Sequence, residues 1–87
     1  MNQFESFKMK QGETISQLSA RFSSICNELE SLGRVIMEKD KVRKILVSLN
    51  GRWVFKVTVV QESKNISTLP YRDLIGSLMA HELYLDD

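Results

Sequence analysis

The sequence has one cysteine, Cys26, and one histidine, His81. A lone cysteine excludes an intramolecular disulfide, and the pair excludes ordinary zinc sites, which need several Cys and His ligands. No apolar run approaches the roughly 20 residues of a membrane-spanning helix. The N-terminus Met1-Asn2-Gln3-Phe4-Glu5 lacks the basic and apolar regions of a signal peptide. The expectation is an intracellular, cytoplasmic chain with no membrane partner. On that expectation the glycosylation-like pattern Asn65-Ile66-Ser67 is a chance match in a loop. Nor can a nucleophile, a base and a stabilising group be assembled into a catalytic site. Cys26 flanks an apolar helix face with nothing nearby to activate it, and His81 has no catalytic partner in sequence. No catalytic residue, metal ligand or cofactor is therefore expected, and neither is enzyme activity.

What is present fits one small globular domain spanning 1–87. Of 87 residues, 43% are hydrophobic and 26% charged, a balance that a disordered tail does not have. A chain of this size buries only about 60 to 65% of the surface exposed by its unfolded form, so its single core is marginal. With disulfides and metals excluded, the remaining source of support is a partner chain. The net charge of +1 is unevenly spread: residues 1–33 carry −1, residues 34–56 carry seven basic and two acidic side chains (+5), and residues 57–87 carry −3. Arg43, Lys44, Arg52 and Lys56 of the basic middle are candidate phosphate contacts. The segment lacks interleaved exposed aromatics or an arginine-rich run, so a solvated helix face is preferred over RNA binding.

Apolar residues at Ile15, Leu18, Phe22, Ile25, Leu29 and Leu32 mark one face of a helix of about five turns. Thr14 with Gln17 forms a capping box at its start, and Gly33 supplies a left-handed terminator. Residues 1–9, with Phe4 and Phe7, form a helical or extended lead-in whose aromatics pack on the domain. Val35-Ile36-Met37 is a short apolar stretch. A second helix runs from Glu38 to Leu49 with Val42, Ile45, Leu46 and Leu49 inward, closed by Asn50-Gly51. Residues 52–62 are ambiguous: Phe55, Val57 and Val59 alternate as a strand would, while Trp53, Val57 and Val60 share a helical stripe. A helix is expected, because a lone strand would leave its edges unpaired. Pro70 at a first helical position opens a last helix carrying Leu74, Ile75 and Leu78. The expected fold is all-α, a compact four-helix bundle, with a core of Ile15, Leu18, Phe22, Ile25, Leu29, Val42, Ile45, Leu46, Leu49, Trp53, Leu74 and Leu78.

The turn at 10–14 is the most pointed feature. Gly12 permits a positive φ, and Glu13 stands beside the exposed amide donors of the first helix. Arg21 lies roughly 70° from the centre of the apolar stripe, at 100° per residue. Spacing leaves two readings open: a solvated arginine, or a buried polar network of Gln11, Gly12, Glu13 and Arg21 whose loss of Arg21 would cost ~3 to 5 kcal/mol.

Phe7-Lys8-Met9-Lys10-Gln11-Gly12-Glu13-Thr14-Ile15, Arg21-Phe22, Val42-Arg43-Lys44-Ile45-Leu46, Ser48-Leu49, Trp53, Lys56-Val57-Thr58 and Leu74-Ile75-Gly76-Ser77-Leu78-Met79 with His81-Glu82-Leu83 resemble the Gag polypeptide of plant Copia-type LTR retrotransposons over almost the whole chain. Gln11-Gly12-Glu13 with Arg21-Phe22 is similar to the major homology region of retroviral capsids. The resemblance implies a capsid C-terminal-like, SCAN-like four-helix domain that associates with itself or with other Gag chains, as a homodimer or a larger assembly. Pro70-Tyr71-Arg72-Asp73 departs from the family's usual threonine cap. The zinc knuckle and basic tail of a full Gag are missing, so the chain is expected to be a fragment or a shortened descendant. A domesticated descendant, cytoplasmic or nuclear, would act as a host interaction module or an inhibitor of assembly. Two association surfaces are open: a stripe of Lys39, Arg43 and Val47 on the second helix, and exchange of the first helix between chains.

Overall fold

A computed structural model describes residues 3–85. Four helices follow in order, α1 (Ile15–Ser31), α2 (Glu38–Ser48), α3 (Val54–Ser63) and α4 (Tyr71–Glu82), with a short 3₁₀ turn at Gly51–Trp53 ahead of α3. No strand occurs among the described residues. The molecule measures 39 × 28 × 20 Å, and α4 packs against both α1 and α2.

Local chemistry sets the ends of α1. Thr14 Oγ1 accepts from Gln17 N at 3.1 Å while Gln17 Oε1 accepts from Thr14 N at 3.0 Å, so two free donors of the helix start are satisfied reciprocally. At the other end Gly33 adopts φ +87°. Gly33 N donates to Glu30 O and Arg34 N to Leu29 O, the paired bonds of a Schellman terminus. α2 ends earlier than the sequence suggests, at Ser48. Asn50, expected to close it, instead caps the 3₁₀ turn by accepting from Arg52 N at 3.1 Å. Pro70 is not inside α4 but is its N-cap residue, and Tyr71 is the first helical position.

One apolar cluster joins all the elements. Ile15, Leu18, Phe22, Val42, Ile45, Leu46, Trp53, Leu74 and Leu78 are buried, together with Phe7, Cys26 and Val60. Phe22 is the hub of an aromatic group, with ring centroids 5.0 Å from Phe7, 5.6 Å from Phe4 and 6.0 Å from Tyr71. The lead-in is a turn followed by extended chain, and Met9 N donates to Ser48 O at 2.8 Å, so it is strapped to the end of α2. In α3 the helical stripe wins over the alternating one: Trp53 and Val60 are buried and Val57 half-buried, while Phe55 is 76% exposed.

Three expected core positions sit differently. Ile25 and Leu29 are half-buried, and Leu32, next on the same stripe, is 72% exposed. At 1.5 Å per residue α1 is about 25 Å long and α4 about 18 Å, so the last turns of α1 extend beyond the helix that covers its first turns. Leu49 is half-buried because it lies past the end of α2 in extended conformation, where the helical spacing no longer governs its direction.

Candidate functional site

The turn at Lys10–Glu13 is closed by a bond from Glu13 N to Lys10 O at 3.1 Å, with Gly12 at φ +77°. That backbone brings the Glu13 carboxylate over the turn, where Oε1 accepts from Lys10 N at 2.8 Å. Arg21, two turns into α1, then reaches back with both arms of its fork: Nε donates to Glu13 Oε2 at 2.9 Å and Nη2 to Oε1 at 3.0 Å. The same Nη2 donates to Lys8 O at 2.6 Å, and the guanidinium carbon lies 4.4 Å from the centre of the Phe7 ring. Arg21 thus fastens the lead-in, the turn and α1 together. Its bidentate bond is the chief reason that the Glu13 carboxyl is held below its ordinary range, with the Lys10 amide assisting against the opposing effect of burial.

Geometry decides between the two readings that spacing left open, with one correction. The Glu13 side chain is 7% exposed and that of Arg21 28%, so the network is covered on the carboxylate side and half-open on the arginine side. Gln11, expected within it, is exposed at the tip of the turn, because the donors that reach the carboxylate are the Lys10 amide and Arg21. Gly12 contributes its backbone angle alone.

Two remote carboxylates complete the helix starts, and periodicity gave no sign of them. Ile15 N, the first donor of α1, is bonded at 2.8 Å by Glu82 Oε2 from the last turn of α4. Tyr71 N, the first donor of α4, is bonded at 2.6 Å by Glu38 Oε2 from the first turn of α2. Each places a negative charge at the positive end of a helix and satisfies an otherwise free donor. A sequence signal existed for the second: Pro70 brings no side-chain cap, so an acceptor had to come from elsewhere.

On the opposite side of the molecule, α2 and the loop before it form an open groove of about 430 Å³. Phe4, Leu29, Val35, Ile36 and Val47 supply apolar walls, and Arg34, Arg43 and Lys44 supply positive charge beside Glu5 and Asp40. Of the expected stripe, Arg43 and Val47 line this groove, Val47 being 54% exposed, whereas Lys39 is exposed outside it. The walls from Leu29, Val35 and Ile36 were missed, although the apolar run at 35–37 had no place in any helix and was their signal. The four candidate phosphate contacts are not presented as a common anion site. Arg43 faces Asp40 at 3.6 Å, Lys44 donates to Glu5 O at 3.4 Å and lies over the Phe4 ring, and Arg52 donates to Leu85 O at 2.9 Å. Lys56 is half-buried on α3.

Cys26 is buried, and burial pushes its thiol above the ordinary range, which disfavours the reactive thiolate. Among the described residues no group of His, Cys, Asp or Glu could hold a metal ion, and no helix is long and apolar enough to cross a membrane.

Compared with known families, the chain matches the model described as the gag-polypeptide of LTR copia-type over residues 1–86. No curated protein and no solved structure matches it.

Proposed function

The chain belongs to the copia-type LTR Gag polypeptides, and on that premise we propose that it is a non-enzymatic, capsid-type module whose task is association with copies of itself. The family match carries the reading, since a Gag polypeptide is a structural component. Two features of the molecule support it. The brace built by Glu13 and Arg21 is directed inward, tying lead-in to helix, so it maintains shape and leaves outer faces free for contact. The α1–α2 end carries a cluster of exposed apolar side chains, with Leu32 at 72%, Val35 at 89%, Met37 at 55% and Val47 at 54%. Apolar surface of that extent at one end marks a contact site more readily than scattered single residues do.

RNA is not assigned as a partner of this segment, because its basic side chains are engaged by carbonyls, a carboxylate and an aromatic ring. The deciding experiment is molar mass by light scattering across concentration. Homotypic association raises the mean mass above 10.0 kDa as concentration rises into the micromolar range. A strict monomer through high micromolar would sink the reading and turn attention to a heterologous protein partner.

A further inference from the structure

Besides the groove, the molecule has a second apolar feature with no cover. Leu83 and Tyr84, on the last turn after α4, are 84% and 81% exposed. Their backbone is ordered by Tyr84 N donating to His81 O at 2.8 Å and Leu85 N to Glu82 O at 3.2 Å. The turn is anchored beside them, since Arg52 holds Leu85 O and Glu82 holds Ile15 N. An aromatic and an aliphatic side chain are therefore presented on a fixed base, and the sequence around them is acidic: Glu82, Asp86 and Asp87 with no Lys or Arg from 81 to 87.

The groove has the complementary character. Its walls are apolar, its volume of about 430 Å³ lies within the range of sites that enclose side chains or small ligands, and Arg34, Arg43 and Lys44 line it. It lies in the segment 34–56, whose net charge is +5. Apolar knob and apolar groove thus carry opposite charge around them, the arrangement that steers and orients an encounter.

The two cannot meet within one chain. Glu82 fixes the end of α4 at Ile15, the start of α1, whereas the groove is walled by Leu29, near its other end. About four turns of α1 separate them, roughly 21 Å at 1.5 Å per residue. Extending the two residues after Tyr84 does not help, because Leu85 is itself held by Arg52.

We propose that the Leu83-Tyr84 turn of one copy seats in the α1–α2 groove of another, with its acidic residues toward Arg34, Arg43 and Lys44. This rests on the homotypic reading above and names the two faces that meet. A contact between unlike patches closes as a reciprocal pair or continues as a ring or chain.

Sedimentation velocity on three proteins and one mixture tests it. The knob variant is Leu83→Ser with Tyr84→Ser; the groove variant is Val47→Glu, with Val35→Glu as its replacement should Val47→Glu lose helicity by circular dichroism. The proposal expects wild type to associate, each variant alone to associate at least tenfold more weakly, and a 1:1 mixture to recover a heterodimer and nothing larger, since one good knob then meets one good groove. An oligomer that persists unchanged in both variants overturns this contact and leaves homotypic association standing. Variants that lose assembly but recover no heterodimer on mixing also overturn it. A wild-type chain that is monomeric throughout overturns the homotypic reading and this contact together.

Discussion

Removing the Arg21 guanidinium would leave Glu13, with a side chain only 7% exposed, holding a charge that one amide alone must satisfy. Because Arg21 itself is 28% exposed, water can take over part of its role, so the cost falls below the ~3 to 5 kcal/mol of a fully buried pair. We expect Arg21→Ala to lower stability by about 1–3 kcal/mol in urea titration. Arg21→Lys should recover only part of it, since an ammonium cannot span both carboxylate oxygens. An unchanged urea midpoint for Arg21→Ala would show that the brace contributes nothing. The same pair sets a pH dependence. The Glu13 carboxyl is held below its ordinary 4.5 in the fold, so the unfolded chain takes up the proton first as acid is added. Its contribution is complete above that ordinary value and is lost progressively as pH falls below it toward the folded value. Glu13→Gln should be less stable at neutral pH and should show a shallower loss between pH 5 and 3, read from urea midpoints across that range (about one unit either side of the unfolded pKa).

Helix ends in this molecule are governed by different agents, and that difference can be measured with one kind of substitution. Gly33 ends α1 at φ +87°, where a side chain is strained although nothing lies within 4 Å of its would-be Cβ. Gly33→Ala should therefore destabilise by about 1–2 kcal/mol through backbone strain alone. Gly76 sits inside α4, also with nothing within 4 Å, so Gly76→Ala should stabilise by up to ~1 kcal/mol through helix propensity. Opposite shifts in Tm, each several degrees for a domain of this size, are the expected pair of results. Equal signs would mean that neighbours, not backbone conformation, dominate one of the sites. The Thr14–Gln17 box and the Gly33 terminus were legible in sequence because both are made by residues within one turn of each other. The starts of α1 and α4 also depend on Glu82 and Glu38, residues far along the chain, and no local pattern could reveal those partners.

At the scale of the molecule, a single apolar cluster takes in the lead-in, all four helices and the 3₁₀ turn. Such a core has no part that can open independently without exposing Phe22 or Trp53, so cooperative unfolding is expected. Trp53, the only tryptophan and 2% exposed, reports on it by fluorescence, and Cys26, 3% exposed with a thiol disfavoured from ionising, reports by chemistry. Fluorescence and circular dichroism should give coincident urea transitions, and labelling of Cys26 by a thiol reagent should be slow in the native state and accelerate through that same transition. Rapid labelling with Trp53 still native would reveal a locally open α1. Association should slow the labelling further, because binding only the folded state adds to its stability.

The existence of four helices, their apolar faces and the family to which the chain belongs were determined by the sequence itself. These follow from spacing and caps that act over a few residues, and from motif blocks that survive in order. Tertiary structure alone decided how far those faces are covered. α1 outreaches α4, so Leu29 becomes a groove wall and Leu32 stays in solvent, although both continue the stripe of Leu18 and Phe22. It also decided that the Arg21 fork meets Glu13 while Gln11 points away, and that Glu82 holds the knob some four turns from the groove. Helical periodicity states which side of a helix is apolar; the length and placement of its neighbours state which part of that side is buried.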